Sequence, residues 1–137
     1  MFNTVLLPVD QSREAREAAE VVLHIVKKYD SRLILLSVIP ESNSQSESPH
    51  PETMMSPEGV AELLQNAQAL FAQNGIKAET FSRQGQPPFV ICDVADEVDA
   101  DLIVMGCRGL GLTEEGVADS VTNRVINLSP CPVLVVP

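Results

Sequence analysis

Residues 100–109 read ADLIVMGCRG, in which an apolar run leads directly into two glycines. Residues 102–105 carry no polar side chain, which is typical of a strand buried on both faces of a parallel sheet. Gly106 and Gly109 allow a tight turn and let the backbone come close to a ligand. The N–H groups at the start of the helix after such a turn attract anions. The stretch therefore predicts a buried strand followed by a turn that can bind phosphate.

Four further apolar runs resemble strands, and helical patterns separate all five. The predicted strands are residues 5–9, 33–39, 76–81, 100–105 and 130–136. Apolar residues recur at helical spacing over residues 15–29, 60–71, 91–98 and 117–128, the last ending at Leu128. Strands that alternate with helices imply right-handed crossovers and a parallel sheet with helices on both faces. Such sheets bind ligands beyond the carboxyl ends of their strands.

The composition agrees with this α/β architecture. The 137 residues suit one domain with its own core, and 45% of them are apolar. Only 4% are aromatic and none is Trp, so Val, Ile, Leu and Ala must form the core. Residues 41–56 are polar and rich in Ser and Pro. We interpret them as a flexible loop within a single domain, residues 1–137, because a full core needs residues from both sides of the loop.

Charge and cysteine content exclude several classes of protein. A net charge of −10 argues against binding to nucleic acid or to anionic membranes. The three cysteines are odd in number and have no CxxC spacing, which favours a reducing compartment over a disulfide framework. The start of the chain does not resemble a signal peptide, and no apolar run approaches the roughly 20 residues that span a bilayer. We therefore expect a cytoplasmic protein.

Three segments together resemble the universal stress protein family: VLLPVD at residues 5–10, ADLIVMGCRG at residues 100–109 and PCPVLVV at residues 130–136. The resemblance covers essentially the whole chain. It implies a five-stranded parallel sheet of order 3-2-1-4-5 in a doubly wound three-layer sandwich, Rossmann-like and of the adenine nucleotide alpha hydrolase type. It also implies a role in the stress response and a homodimer formed through the C-terminal strand, Cys131–Val136. An apolar edge strand agrees with such pairing.

One branch of this family binds ATP through Gly-x-x-Gly, nine residues, then Gly and Ser or Thr. Gly106, Gly109 and Ser120 match this pattern, and Asp119 stands where the third glycine would be. Position by position, the resemblance implies contacts from Asp10 to the ribose or adenine and from Val38 to the adenine. The complete implied nucleotide site is Pro8, Val9, Asp10, Val38, Met105, Gly106, Arg108, Gly109, Asp119, Ser120 and Val121.

The aspartate opposes phosphate binding. A carboxylate about 5 Å from a phosphate charge costs about 1 to 3 kcal/mol, which weakens binding about 5- to 150-fold. Mg²⁺ bridging Asp119 and a phosphate would offset this, since hard cations bind carboxylates and phosphates. Arg108 or Arg124 could also neutralise the phosphates. Structural interpretations stay open for three of these features. Asp10 could cap a helix, the 106–109 turn could simply connect a strand to a helix, and the Ser120 hydroxyl could be solvated.

No catalytic residue is predicted. The two histidines, His24 and His50, have no second ligand at metal-binding spacing, and no nucleophile–base pair is visible. We expect a dimeric regulatory protein that binds ATP, with Mg²⁺ as its cofactor, and whose 41–56 loop responds to the nucleotide and alters a surface for a partner protein. The alternatives are a dimer of the same family that binds no nucleotide and acts as a protein-interaction module, or a slow ATPase.

Overall fold

The computed structural model describes residues 2–9, 13–39, 57–106 and 121–136. Strands and helices alternate along these segments, as the sequence predicts. In chain order they are β1 (Thr4–Pro8), α1 (Arg13–Tyr29), β2 (Arg32–Ile39), α2 (Pro57–Gln73), β3 (Ala78–Gln84), α3 (Pro87–Glu97), β4 (Leu102–Gly106), α4 (Val121–Leu128) and β5 (Val133–Val136). None of the helices in these segments is long and apolar enough to cross a membrane.

The five strands form one parallel sheet in the order β3-β2-β1-β4-β5, which confirms the predicted topology. Leu6 of β1 lies opposite Ile34 of β2 on one side and Ile103 of β4 on the other. The chain therefore winds outward from β1 to β3, then crosses back to β4. This reversal places the switch point of the strand order between β1 and β4, at the carboxyl edge where such sheets bind ligands.

The central strands are buried on both faces, because helices cover each side of the sheet. Helices α1 and α2 pack on one face, over a core that includes Leu7, Leu35 and Val104. Helices α3 and α4 cover the other face, over a core that includes Leu6 and Ile103. Each fully buried Leu or Ile side chain contributes about 1.5 to 3 kcal/mol relative to an exposed one.

Strand β3 begins two positions later than predicted, at Ala78 rather than residue 76. The reason is the way in which α2 ends. Gly75 has a φ of +80°, and the Ile76 N–H donates to the Phe71 carbonyl at 2.9 Å. This is the hydrogen bond of a Schellman cap, which keeps Ile76 attached to the helix. The cap therefore delays the strand.

Leu128 does not belong to the buried face of α4, contrary to the periodicity. Its side chain is 47% exposed, whereas Val125 is fully buried. Leu128 is the last residue of the helix, and the Ser129 N–H already bonds back to the Val125 carbonyl as the chain turns towards β5. Burial on α4 is thus decided by where the helix ends over the sheet.

Candidate functional site

The carboxyl ends of β1, β2 and β4 bring several of the predicted nucleotide-binding residues to one edge of the sheet. The Val9 N–H donates to the Leu36 carbonyl at 2.8 Å, so the chain stays beside β2 for one residue beyond β1. The pairing of β1 with β4 ends at Leu6 and Ile103, so Pro8 and Met105, each two residues further along its strand, both lie towards the carboxyl edge. Gly106, the last residue of β4, lies opposite Val136 of β5. The edge between β1 and β4 is therefore built from Pro8, Val9, Met105 and Gly106.

The apolar side chains at this edge divide between the two faces of the sheet. Val38 packs against the core under α3 and α4, to which Met105 also belongs. Val9 packs against the opposite core, under α1 and α2. Since successive side chains of a strand point to opposite faces, Pro8 shares the face of Leu6 and hence that of Val38. Pro8, Val38 and Met105 thus form the apolar group on the α3/α4 side, with Val9 on the other side.

The remaining predicted site residues fall largely outside the described segments. These are Asp10, Arg108, Gly109, Asp119 and Ser120; the predicted loop, residues 41–56, also lies outside. Val121 is the first residue of α4. The described part of the chain therefore supplies the apolar end of the predicted site, and the roles of the polar residues stay predictions.

A tight turn after β3 is attached to the same edge by a bond that the sequence does not predict. The Gly85 N–H donates to the carbonyl of Ile39, the last residue of β2, at 2.9 Å. Gly85 has a φ of +147°, and a Cβ at this position would lie 2.8 Å from Cγ2 of Val90. Only glycine fits there without strain. The Gly-Gln-Pro-Pro sequence signals a turn, but nothing in it indicates the bond to β2.

An arginine and an aromatic ring meet where α3 and α4 begin. The Arg124 guanidinium carbon lies 5.8 Å from the centroid of the Phe89 ring, within range of a cation–π interaction. From the sequence, Arg124 is predicted as a cation that could neutralise phosphates, whereas no pattern in the sequence gives Phe89 a role. The structure thus supplies the contact that joins Arg124 to the first turn of α3.

Two cysteines lie on the α3/α4 side and are poor candidates for redox chemistry. Cys92 and Cys131 are half-buried against the core of that face. Burial raises the pKa of both thiols; the nearby Asp93 adds to the shift at Cys92, and Asp101 to that at Cys131. Thiols with raised pKa values form little of the reactive thiolate. The Cys131 N–H also donates to Ser129 Oγ at 3.1 Å, which holds the residue in the turn before β5 rather than in the edge strand itself.

Across residues 2–9, 13–39, 57–106 and 121–136, no group of three or more His, Cys, Asp or Glu side chains could hold a metal ion. Asp101 serves the sheet instead, because its Oδ2 accepts a hydrogen bond from the Thr4 N–H at 3.0 Å.

The comparisons with known proteins agree with this architecture. The model of the universal stress protein family matches residues 1–137. Universal stress protein Sll1654 of Synechocystis sp. is 64% identical over 137 residues, which make up 100% of this chain and 87% of that protein. Among solved structures, universal stress protein UspA from Lactobacillus plantarum has a TM-score of 0.81 and 25% identity, with coverage of 99% of this chain and 98% of its own.

Two further solved structures share the fold and were determined with adenine nucleotides. A universal stress protein from Archaeoglobus fulgidus, in complex with dAMP, has a TM-score of 0.75 at 22% identity and full coverage, 100%, of both chains. A universal stress protein in complex with cAMP has a TM-score of 0.79 at 23% identity, covering 98% of this chain and 97% of its own. At these identities the likeness establishes the common fold.

Proposed function

The chain belongs to the universal stress protein family, and from this premise we propose that it binds ATP with Mg²⁺ between the carboxyl ends of β1 and β4. In this proposal the bound nucleotide makes the protein a regulatory module of the cytoplasmic stress response. The observation that carries the proposal is the apolar group Pro8, Val38 and Met105, which adjoins the Gly106 backbone at the switch point.

The chemistry of this edge suits an adenine nucleotide. The apolar group offers a surface for a purine ring, as ligand pockets do when apolar side chains surround a few polar groups. Gly106 ends β4 without a side chain, so a ribose or phosphate can approach the backbone. The N–H groups at the start of α4 favour anionic phosphates. Family members of the same fold that bind dAMP and cAMP support the choice of adenine.

Asp119 is the reason that the proposed site includes Mg²⁺, because this carboxylate replaces the glycine of the ATP-binding pattern. A free carboxylate beside a triphosphate weakens binding, whereas a carboxylate and a phosphate can share one Mg²⁺. The proposed site therefore needs the cation more than a site with glycine at this position would.

The decisive experiment is a calorimetric titration of nucleotide-stripped protein with ATP, with and without Mg²⁺, on the native chain and on Asp119→Gly. We expect the native protein to bind ATP much more tightly with Mg²⁺ than without it. Asp119→Gly should also bind without it, with about 5- to 150-fold higher affinity than the native protein under that condition. Asp99→Gly is the matched control: the same change of charge before β4, at the opposite edge of the sheet, should leave ATP binding unaltered.

Two outcomes would contradict the proposal. If neither the native protein nor Asp119→Gly binds ATP, the carboxyl edge is not a nucleotide site. If only Asp119→Gly binds, the site is disabled in this chain, and the activity belongs to a surface that recognises another protein.

We further propose that the protein acts as a homodimer, formed when β5 pairs with its copy. Strand β5 is the last strand of the sheet, and Leu134 at its centre is 38% exposed. Residues 129–136 contain no charged side chain. The opposite edge strand, β3, carries Glu79 and Arg83 in exposed ion pairs. Charges protect sheet edges from pairing, so β5 is the edge suited to association.

A further inference from the structure

The cation–π contact between Arg124 and Phe89 lies at the end of the molecule to which the proposed function assigns the nucleotide. Phe89 stands in the first turn of α3, which follows the carboxyl end of β3, and Arg124 stands in the first half of α4, which follows that of β4. Both helices cover the same face of the sheet, the face that holds Val38 and Met105. The contact therefore lies on the same face and towards the same edge as the apolar group of the site.

The position of Phe89 is set by the rigid turn that precedes it. The Gly85 N–H bonds to the Ile39 carbonyl, which fixes the turn to the end of β2. Pro87 and Pro88 begin α3, and their rings restrict the backbone that leads into Phe89. Although 46% exposed, the Phe89 ring is thus held on a constrained backbone. It gives the guanidinium a fixed surface at this edge.

The position of Arg124 is set by helix α4. The next residue, Val125, is fully buried in the core under α3 and α4 and so fixes the rotation of the helix. Side chains of an α-helix lean towards its N-terminus, so Arg124 extends over the first turn of α4. The start of α4 is where the proposed function puts the terminal phosphates. This lean places the Arg124 side chain on the N-terminal side of its own Cα, which is the side on which the proposed function puts the phosphates.

Arg124 also differs from the other arginines whose side chains are described. Arg32 pairs with Glu79 at 2.6 Å, and Arg83 pairs with Glu97 at 2.6 Å. No carboxylate of the described residues lies within ion-pair distance of Arg124, which has the Phe89 ring as its neighbour instead. In a chain with a net charge of −10, such a cation counters the repulsion of an anionic ligand.

We propose that Arg124, positioned by Phe89, is the residue by which this site selects nucleotides with two or three phosphates over monophosphates. The inference rests on the proposed function and adds a specificity to it. A guanidinium forms paired hydrogen bonds with phosphate oxygens, and these charge-assisted bonds are stronger than neutral ones. Arg124 contacts the terminal phosphates, so its charge counts for ATP and ADP but not for AMP.

The test measures the affinities of ATP, ADP and AMP for the native protein, Arg124→Gln, Phe89→Leu and Arg83→Gln by calorimetry in Mg²⁺. Arg124→Gln should bind ATP and ADP about tenfold more weakly and leave AMP within about twofold. Phe89→Leu should weaken ATP about threefold, since the charge remains and only its support is lost. Arg83→Gln removes the same charge from another arginine that lies over a phenylalanine ring, and should leave the ATP-to-AMP ratio unchanged.

The outcomes separate this inference from the function on which it rests. An equal loss of ATP and AMP affinity in Arg124→Gln, or none at all, overturns the role of Arg124 and leaves the nucleotide site in place. An unchanged ATP affinity in Phe89→Leu overturns the positioning role of the ring. If the native protein binds none of the three nucleotides, the proposed function fails, and the inference fails with it.

Discussion

Asp101 shows how one side chain joins the central strand β1 to its neighbour β4. Its N–H donates to the Thr4 carbonyl at 2.7 Å, and its Oδ2 accepts from the Thr4 N–H at 3.0 Å. Both bonds lie at the amino edge, where β1 and β4 begin next to each other. The carboxylate thus satisfies a backbone N–H of a buried residue at the strands that frame the proposed site.

Replacing this carboxylate should destabilise the fold. We expect Asp101→Ala to lower the free energy of unfolding by about 1.5 to 3 kcal/mol, because a charge-assisted hydrogen bond is lost and the Thr4 N–H is left without its partner. Asp96→Ala, an exposed position on α3, should change it by less than about 0.5 kcal/mol. Urea unfolding of both variants checks the prediction, and equal losses would contradict it.

The residues that end the helices are the hardest features to predict from this sequence. Gly75 ends α2 as its residue type suggests, but Asp30 and Asp99 do the same for α1 and α3, with φ near +55° at both. The N–H of the residue after each aspartate bonds back into its helix, as in a Schellman cap. Aspartate tolerates this conformation better than most residues but signals it weakly. The starts of the following strands depend on these caps.

The turn between β3 and α3 requires glycine at residue 85, where an added Cβ would meet Val90. Gly85→Ala should cost about 2 to 4 kcal/mol in the free energy of unfolding, since it adds a clash with Val90 to an unfavourable φ. Gly75→Ala is the matched control: its φ is also positive, but nothing lies within 4 Å of the added Cβ. It should cost only about 1 to 2 kcal/mol. Equal costs in denaturant titrations would show that the contact with Val90 relaxes freely.

At the scale of the whole molecule, the two edges of the sheet differ in kind. Strand β3 ends the sheet with charged side chains in ion pairs, and the Arg32 pairing lowers the pKa of Glu79. Strand β5 ends it with Val and Leu alone. Exposed ion pairs contribute little to stability. These ion pairs matter for self-association instead, because they make the β3 edge a poor surface for pairing with a second copy of the chain.

The proposed dimer can be tested at Leu134. We expect Leu134→Lys to weaken self-association at least about tenfold, because a charge would face the apolar strand of the second copy. Leu70→Lys is the control: this leucine of α2 is 46% exposed and lies on the opposite side of the molecule from β5. Analytical ultracentrifugation measures both. A native protein that is monomeric at all concentrations, or a Leu134→Lys variant that associates as well as the native chain, would contradict the pairing.

The alternation of strands and helices can be predicted from the chain alone, because buried parallel strands and amphipathic helices differ in the spacing of their apolar residues. The sequence also indicated that the carboxyl edge carries the site, since Gly106 directly follows a buried strand. Three features emerge only in the folded molecule: Val9 and Val38 lie on opposite faces, Gly85 is bonded to Ile39, and Phe89 contacts Arg124. These contacts join residues far apart in the chain, and their geometry follows from how the sheet and helices pack rather than from any local pattern.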